Sequence, residues 1–237
     1  MLSDVMEDYL KAIYTLQRES GPPVGTSAIA DHLDVTPPTV SSMVDKLAER
    51  GLVAHEKYRG VELTDEGETV ALEVVRHHRL LEAYLAEHLD YEWSRVHEEA
   101  DALEHHISEE FERRVAEALG EPAVDPHGDP IPRADLEPLG EDDTVPLADC
   151  EAGERFEVAR VRDRDEAELS YLAEVGVEPG VTLRLEAVTP IGQLRVVGDG
   201  VDHLLPEAVA ATIRVRPVRE DASTARSDDG PSAPREA

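Results

Sequence analysis

Cysteine is almost missing from these 237 residues: the single Cys150 excludes an internal disulfide framework and any zinc site built on several thiolates. Lysine is scarce as well. Of 23 basic residues only Lys11, Lys46 and Lys57 are lysines. Positive charge is short overall, because 53 acidic residues leave a formal net charge of −30. Bulk electrostatics of that sign repel nucleic acid and anionic membranes, so a polyanion can be met only through a local patch. No apolar run approaches the ~20 residues a membrane span needs. The N-terminal MLSDVMEDYL has no basic stretch, so it does not read as a signal peptide. The expectation is a soluble, cytoplasmic protein of a reducing compartment with no membrane partner. Strong acidity with so little lysine further suggests a halophilic cytoplasm, where the Debye length falls to about 3 Å.

What is present is a 41% hydrophobic fraction, enough for folded cores, and an uneven spread of charge. Residues 1–64 hold 6 basic and 10 acidic residues, residues 65–140 hold 6 and 21, and residues 141–237 hold 11 and 22. Seven of the ten histidines fall in the middle stretch. The first stretch is thus the least repulsive to an anion, and the second is the richest in metal-ligand types.

The first 64 residues read as three helices and a hairpin. Helical spacing over 3–19 ends at Gly21-Pro22-Pro23, and a short helix runs from Thr26 or Ser27 to Leu33. After a turn, Pro37 and Pro38 head a second helix that Gly51 closes. Strands at Leu52–Glu56 and Val61–Leu63 flank Lys57-Tyr58-Arg59-Gly60. This is the order of a winged helix-turn-helix, whose second helix enters the major groove N-terminal end first. That end is small and polar here: Thr36, Pro37, Pro38, Thr39, Ser41 and Ser42. Such side chains allow close approach to base edges and thymine methyl groups. Thr39, Ser41, Lys46, Arg50, Lys57, Tyr58 and Arg59 are the candidate phosphate contacts. A purely structural trihelical unit would share the same pattern.

The middle stretch reads as helices over about 65–89, 92–106 and 109–119, followed by a Pro-, Gly- and Asp-rich linker from Gly120 to Pro146. Asp101, Glu104 and His105 are spaced i, i+3, i+4, and His97 lies one turn earlier. His78 and Glu82 form a second i, i+4 pair, and Asp8 lies beside the apolar stripe of the first helix. If these helices pack together, Asp8, Asp101, Glu104 and His105 can form one site and His78, Glu82 and His97 another. Oxygen and nitrogen donors without thiolate suit Mn(II) or Fe(II), although Zn²⁺, Co²⁺ and Ni²⁺ bind such sets too. Incidental histidines on a solvated acidic helix are the competing reading. The spacing is wrong for a zincin helix, a ferritin-like Glu-x-x-His pair or a phosphate-cradling loop, so no enzyme is expected. The last stretch has β-type runs at Phe156–Val161, Val181–Val188, Gln193–Val197 and Ile213–Val218, with a short helix near 168–175. From about Arg219 the chain is low in apolar residues, and residues 219–237 read as a disordered tail.

Taken together, these residues resemble the diphtheria-toxin-repressor family of metal-dependent transcriptional regulators. The marks are Met6-Glu7-Asp8-Tyr9-Leu10, Pro38-Thr39-Val40-Ser41, Lys57-Tyr58-Arg59-Gly60, Arg76-His77-His78-Arg79, Val96-His97-Glu98-Glu99-Ala100, Glu104-His105 and Pro126-His127-Gly128-Asp129-Pro130. The resemblance implies a mainly α fold with small β content. It consists of a winged helix-turn-helix (1–64), a helical metal-binding and dimerisation domain with its linker (65–140), and an SH3-like, FeoA-like β-barrel domain (141–218). It implies a primary metal site on Asp8, Asp101, Glu104 and His105 and an ancillary one on His78, Glu82 and His97. Third-domain ligands align with Asp165 and Glu168. Asp8 and the wing resemble the manganese-responsive branch, which has a second carboxylate one turn after Asp8. This sequence has Lys11 there. The implied function is a homodimeric repressor, of haloarchaeal type, that binds a palindromic operator as one or two dimers when Mn(II) or Fe(II) is present as co-repressor, and so controls metal uptake. The alternatives are a winged-helix regulator of a non-metal signal and a metal-buffering protein.

Overall fold

The computed structural model describes residues 2–56, 59–140, 143–162 and 166–218. The expected contacts of Lys57 and Tyr58, the expected ligand Asp165 and the expected disordered tail lie outside these residues.

Helix α1 (Asp4–Ser20) carries Asp4 and Glu7 in its first turn, where the helix dipole favours acids, and closes at Gly21 with φ +79°. Helices α2 (Thr26–His32) and α3 (Pro37–Glu49) follow. The two prolines fall in the first turn of α3, where backbone N–H groups lack intrahelical partners anyway. Val40, Val44 and Leu47 recur at helical spacing and are fully buried, so α3 is fixed by one face and offers the other to solvent. Strands β1 (Val53–Glu56) and β2 (Gly60–Leu63) pair antiparallel, and Val24 adds a bridge to Val61. These elements share one core with Ala71, Leu72 and Val75 of the next helix.

That helix, α4 (Asp65–Leu89), is the axis of the molecule. Thr64 Oγ1 accepts the Gly67 N–H at 3.1 Å, and Asp65, Glu66 and Glu68 fill the first turn. Its early turns pack into the first core. Leu80 packs against Val115, Ala116 and Ile131, and Leu81 and Leu85 pack against Val96 and Ala100. The helix expected over 92–106 is shorter, α5 (Val96–Leu103). Arg95 N bonds Glu92 O in a turn before it, and His106 N bonds Leu103 O in a turn after it. Helix α6 (Glu109–Ala118) starts at Ser108, whose Oγ accepts from Phe111 N.

The stretch expected to be a linker is largely built into the fold. The Asp125 carboxylate accepts the N–H groups of His127 and Asp129, each at 2.9 Å, and closes a tight loop. Asp125, His127 and Ile131 are buried. Proline, glycine and aspartate mark such an Asx-stabilised loop as readily as a linker, which is why composition alone misplaces it. Further on, Leu136 and Leu139 lie against the first core, and Arg18 holds the carbonyls of Leu139 and Gly140.

The remaining chain forms an antiparallel six-stranded sheet of order β3-β8-β4-β5-β6-β7. Strands β3 (Val145–Pro146) and β4 (Arg155–Val161) precede α7 (Glu166–Glu174). Then come β5 (Thr182–Val188), β6 (Gln193–Gly198), β7 (Val201–Pro206), α8 (Glu207–Ala210) and β8 (Ile213–Pro217). Strand β7 was not expected from the sequence: Asp202, His203 and Leu204 between Val201 and Leu205 are all exposed, so no buried-residue alternation signals it. The sheet closes on Phe156, Val158, Leu183, Leu185, Leu194, Val196 and Val215.

The buried loop docks onto this sheet. Val161 N donates to His127 O at 2.9 Å, and Arg160 Nη1 lies 3.1 Å from Asp129 Oδ1. Gly128, at φ +88°, sits so close that an added Cβ would lie 2.0 Å from Ala159 O. Gly128→Ala is therefore expected to destabilise the protein by about 1–3 kcal/mol through steric overlap, seen as a lower Tm. An unchanged Tm would show that the loop does not need this close approach.

Candidate metal centres and nucleic-acid interface

The exposed face of α3 carries the residues singled out for reading DNA. Thr36, Pro37, Pro38, Thr39, Ser41, Ser42, Lys46 and Arg50 are all exposed. The hydroxyls of Thr36 and Thr39 are 2.8 Å apart, and Ser41 Oγ donates to Pro37 O. At the wing, exposed Arg59 is paired with Glu56 at 2.7 Å. A surface pair of this kind is weak, so a phosphate can compete for the guanidinium.

Behind this head, α1 meets α4 and the end of α5. His105 faces Glu7 Oε2 through Nδ1 and Asp8 Oδ1 through Nε2, both at 2.8 Å, and its Nε2 lies 3.4 Å from Glu104 Oε1. Asp8, Glu104 and His105 thus form one cluster that could hold a cation. Burial pushes the Asp8 carboxyl up, against the pull of His105. Burial also disfavours charge on His105, but Glu7 and Asp8 outweigh it and raise the imidazole.

Asp101 belongs to the other side of Glu104. Its Oδ1 lies 2.9 Å from Lys11 Nζ and 3.2 Å from His78 Nδ1, and its Oδ2 lies 3.5 Å from His97 Nε2. His78, His97 and Asp101 form the second cluster. The expected ancillary trio also comes together: His78 Nε2 is 2.9 Å from Glu82 Oε1 and 3.0 Å from His97 Nδ1, and His97 Nδ1 is 3.2 Å from Glu82 Oε1. Burial opposes charge on His78, yet the Glu82 carboxylate raises it well above the ordinary histidine value. Burial likewise opposes ionisation of Glu104, but hydrogen bonding from His78 and the charge of Lys11 hold it below the usual range.

A third cluster, Glu82, Asp125 and His127, was missed in the sequence because Asp125 and His127 fall in the apparent linker. The signal available was a histidine inside Pro126-His127-Gly128-Asp129-Pro130. All three side chains are buried, and His127 Nδ1 is 3.7 Å from Glu82 Oε1. Glu82 Oε2 and Asp125 Oδ2 are buried without a hydrogen bond. Burial, and then the nearby charges of Glu82 and Asp125's neighbour Asp129, push the Asp125 carboxyl well above its ordinary value. Two such carboxylates side by side fit a divalent cation, and the whole donor set is oxygen and nitrogen. Glu168 sits on α7 with Oε1 accepting from the Thr212 hydroxyl, and it joins none of these clusters.

An exposed DNA-reading helix joined through acid–imidazole clusters to a helical core defines a metal-dependent regulator of transcription. Comparison with known proteins agrees. Residues 1–61 match the iron dependent repressor N-terminal DNA binding domain, 64–133 the iron dependent repressor metal binding and dimerisation domain, and 145–217 the FeoA domain. The chain is 34% identical to the iron-dependent repressor IdeR of Mycobacterium tuberculosis over 92% of its own length and 99% of the relative's. It is 32% identical to the diphtheria toxin repressor of Corynebacterium efficiens, over 92% and 97%. A solved manganese-dependent transcriptional repressor in complex with manganese superimposes with a TM-score of 0.83 at 39% identity, covering 90% of this chain and all of that one. The manganese regulator SloR superimposes with a TM-score of 0.75 at 34% identity, over 90% and 98%. The chain belongs to the iron-dependent repressor family, whose members are DNA-binding, metal-dependent repressors rather than enzymes. Among the described residues no helix is long and apolar enough to cross a membrane.

The buried Asp125 gives a pH test. Its pKa is higher in the fold than in the unfolded chain, so ionising it costs stability as pH rises above about 4 towards the folded value. Metal-free Asp125→Asn keeps the loop-closing acceptor and removes this cost. Thermal unfolding should show the stability of the variant rising relative to the parent from pH 4 to pH 7, on top of a pH-independent loss of the Arg79 contact 3.5 Å from Asp125 Oδ2. A relative stability that does not change with pH would contradict the assignment.

Proposed function

We propose that this protein is a homodimeric repressor that binds a palindromic operator, as one or two dimers, when Mn(II) or Fe(II) is bound, and that manganese is the preferred co-repressor. One observation carries the reading: Asp8, on the helix that anchors the DNA-reading head, converges with Glu104 and His105 at the end of α5. The residues that would hold metal are Asp8, Glu104 and His105, with Asp101 beside them, and His78, Glu82 and His97, with Asp125 and His127 facing Glu82 from behind. Asp165 and Glu168 are the third-domain candidates. The absence of cysteine and methionine donors favours manganese over softer ions. A bound divalent cation supplies positive charge that offsets the Asp8 and Glu104 carboxylates.

The rest is the work of the chain. Asp8 fixes the rotation of α1, and α1 carries the core face on which α3 rests. Holding α1 against α5 therefore sets the two reading helices of a dimer near one DNA turn apart, roughly 34 Å. Metal shifts this equilibrium only if it binds the DNA-competent arrangement more tightly. Residues 1–64 read the operator, residues 65–140 bind metal and dimerise, and residues 141–218 brace the buried loop.

Fluorescence anisotropy with labelled operator DNA, under anaerobic conditions and with Mn²⁺ or Fe²⁺ titrated in, tests this. Metal is expected to tighten binding by about 5–150-fold, and Asp8→Ala with His105→Ala to abolish the gain. Lys46→Ala and Arg50→Ala should each lower the salt slope of binding by about 1. Equal DNA affinity with and without metal would sink the mechanism.

A further inference from the structure

We propose that the Lys11 ammonium is a built-in cation that takes the place of a second metal ion beside the Asp8–Glu104–His105 centre, leaving that centre mononuclear and partly tethering α1 before any metal arrives. The inference rests on the metal-site reading given above. Lys11 lies three residues after Asp8 on α1, so both side chains leave the same face of the helix. Its Nζ is 2.7 Å from Glu104 Oε2, 2.9 Å from Asp101 Oδ1 and 3.0 Å from His78 Nδ1. Three groups of metal-ligand type, from α4 and the α5 segment, therefore converge on one charged nitrogen. The Lys11 side chain is 20% exposed and that of Glu104 is 1% exposed. Lysine is rare in this chain, and Lys46 lies on the exposed face of α3.

A divalent ion placed among the same three groups would sit within a few ångströms of the ammonium, and at that range like charges repel strongly. The position is therefore closed to metal while Lys11 is there. Being covalently attached, the ammonium does not dissociate when metal is scarce. Its contact with buried Glu104 is screened by salt far less than surface pairs are, while half-exposed Asp101 adds a more screened one. Asp101 then serves as partner to Lys11 rather than as a ligand shared with Asp8. The head keeps a metal-independent link to the helical core, and within this joint between α1 and the end of α5 it is the Asp8–Glu104–His105 position that responds to metal.

The test uses the full-length, chelator-stripped protein and Mn²⁺ alone, counted by calorimetry and elemental analysis, with low-temperature EPR to detect a spin-coupled pair. Lys11→Glu is expected to take up about one more Mn²⁺ per chain than the parent and to show the coupled signal, because the blocking charge is replaced by a ligand. A second variant, Lys11→Met, needs no metal: its metal-free Tm should fall below that of the parent, since Asp101 and buried Glu104 lose their cation. A parent that already holds a coupled pair, or a Lys11→Glu variant with no added ion, overturns the inference. So does a metal-free Lys11→Met as stable as the parent. His105→Ala separates the two levels. If it removes an ion from the parent while Lys11→Glu adds none, the inference alone fails. If it removes none, the proposed metal site fails and takes the inference with it.

Discussion

Carboxylates cannot be buried together unless positive charge lies among them, and that constraint governs the joint between α1, α4 and the end of α5. Glu104 and Glu82 are almost wholly buried there. Around them the chain places Lys11, His78, His97 and His105, each within hydrogen-bond range of an acid. The back of α4 solves the same problem with fixed cations. Arg76 pairs with Glu112 at 2.5 Å and holds the Pro132 carbonyl, while Arg79 lies beside Asp125 and Asp129 and holds the Pro130 carbonyl. One helix thus supports a rigid loop from one face and presents a charge-dependent site on another.

Much of this was legible in the sequence because periodicity reports local geometry. Asp101, Glu104 and His105 read as neighbours on spacing alone, and so did His78 with Glu82. The head was legible for the same reason: prolines, a glycine stop and a hairpin turn each force one local conformation. What spacing cannot give is which groups meet across elements. It grouped Asp101 with Asp8, but the chain turns after Leu103, so Glu104 stands between the two and Asp101 faces Lys11 and His78. Asp125 and His127 were obscured for a different reason. Their loop is stabilised by side-chain-to-backbone bonds, whose residue types are those of linkers. Strand β7 failed to show because three consecutive residues face solvent, which hides the period of two.

The surplus of acid has two physical roles. On the surface it forms pairs such as Arg195 with Asp202 and Arg114 with Glu110. Exposed pairs of this kind contribute ~0–1 kcal/mol and less in salt, so they do little to hold the fold. Inside, acids at Glu82, Glu104 and Asp125 lie where screening is weak, and there each missing cation matters. High salt therefore removes the surface contribution but leaves the joint intact. The same salt would weaken the phosphate contacts proposed for Lys46 and Arg50.

A switch needs a group that leaves, because only differential occupancy moves an equilibrium. Lys11 cannot leave, so it sets a baseline rather than a signal. Glu104 connects the two, since its Oε2 faces Lys11 and His78 while its Oε1 faces His105. Charge drawn to one oxygen of a carboxylate lowers the charge available at the other. A stronger hold by Lys11 would thus weaken the proposed metal-responsive site, and a weaker hold would leave α1 held by its apolar packing against α4 alone. On the proposed metal site, the sensitivity of the regulator would be set by how one buried carboxylate is shared between a fixed cation and an exchangeable one.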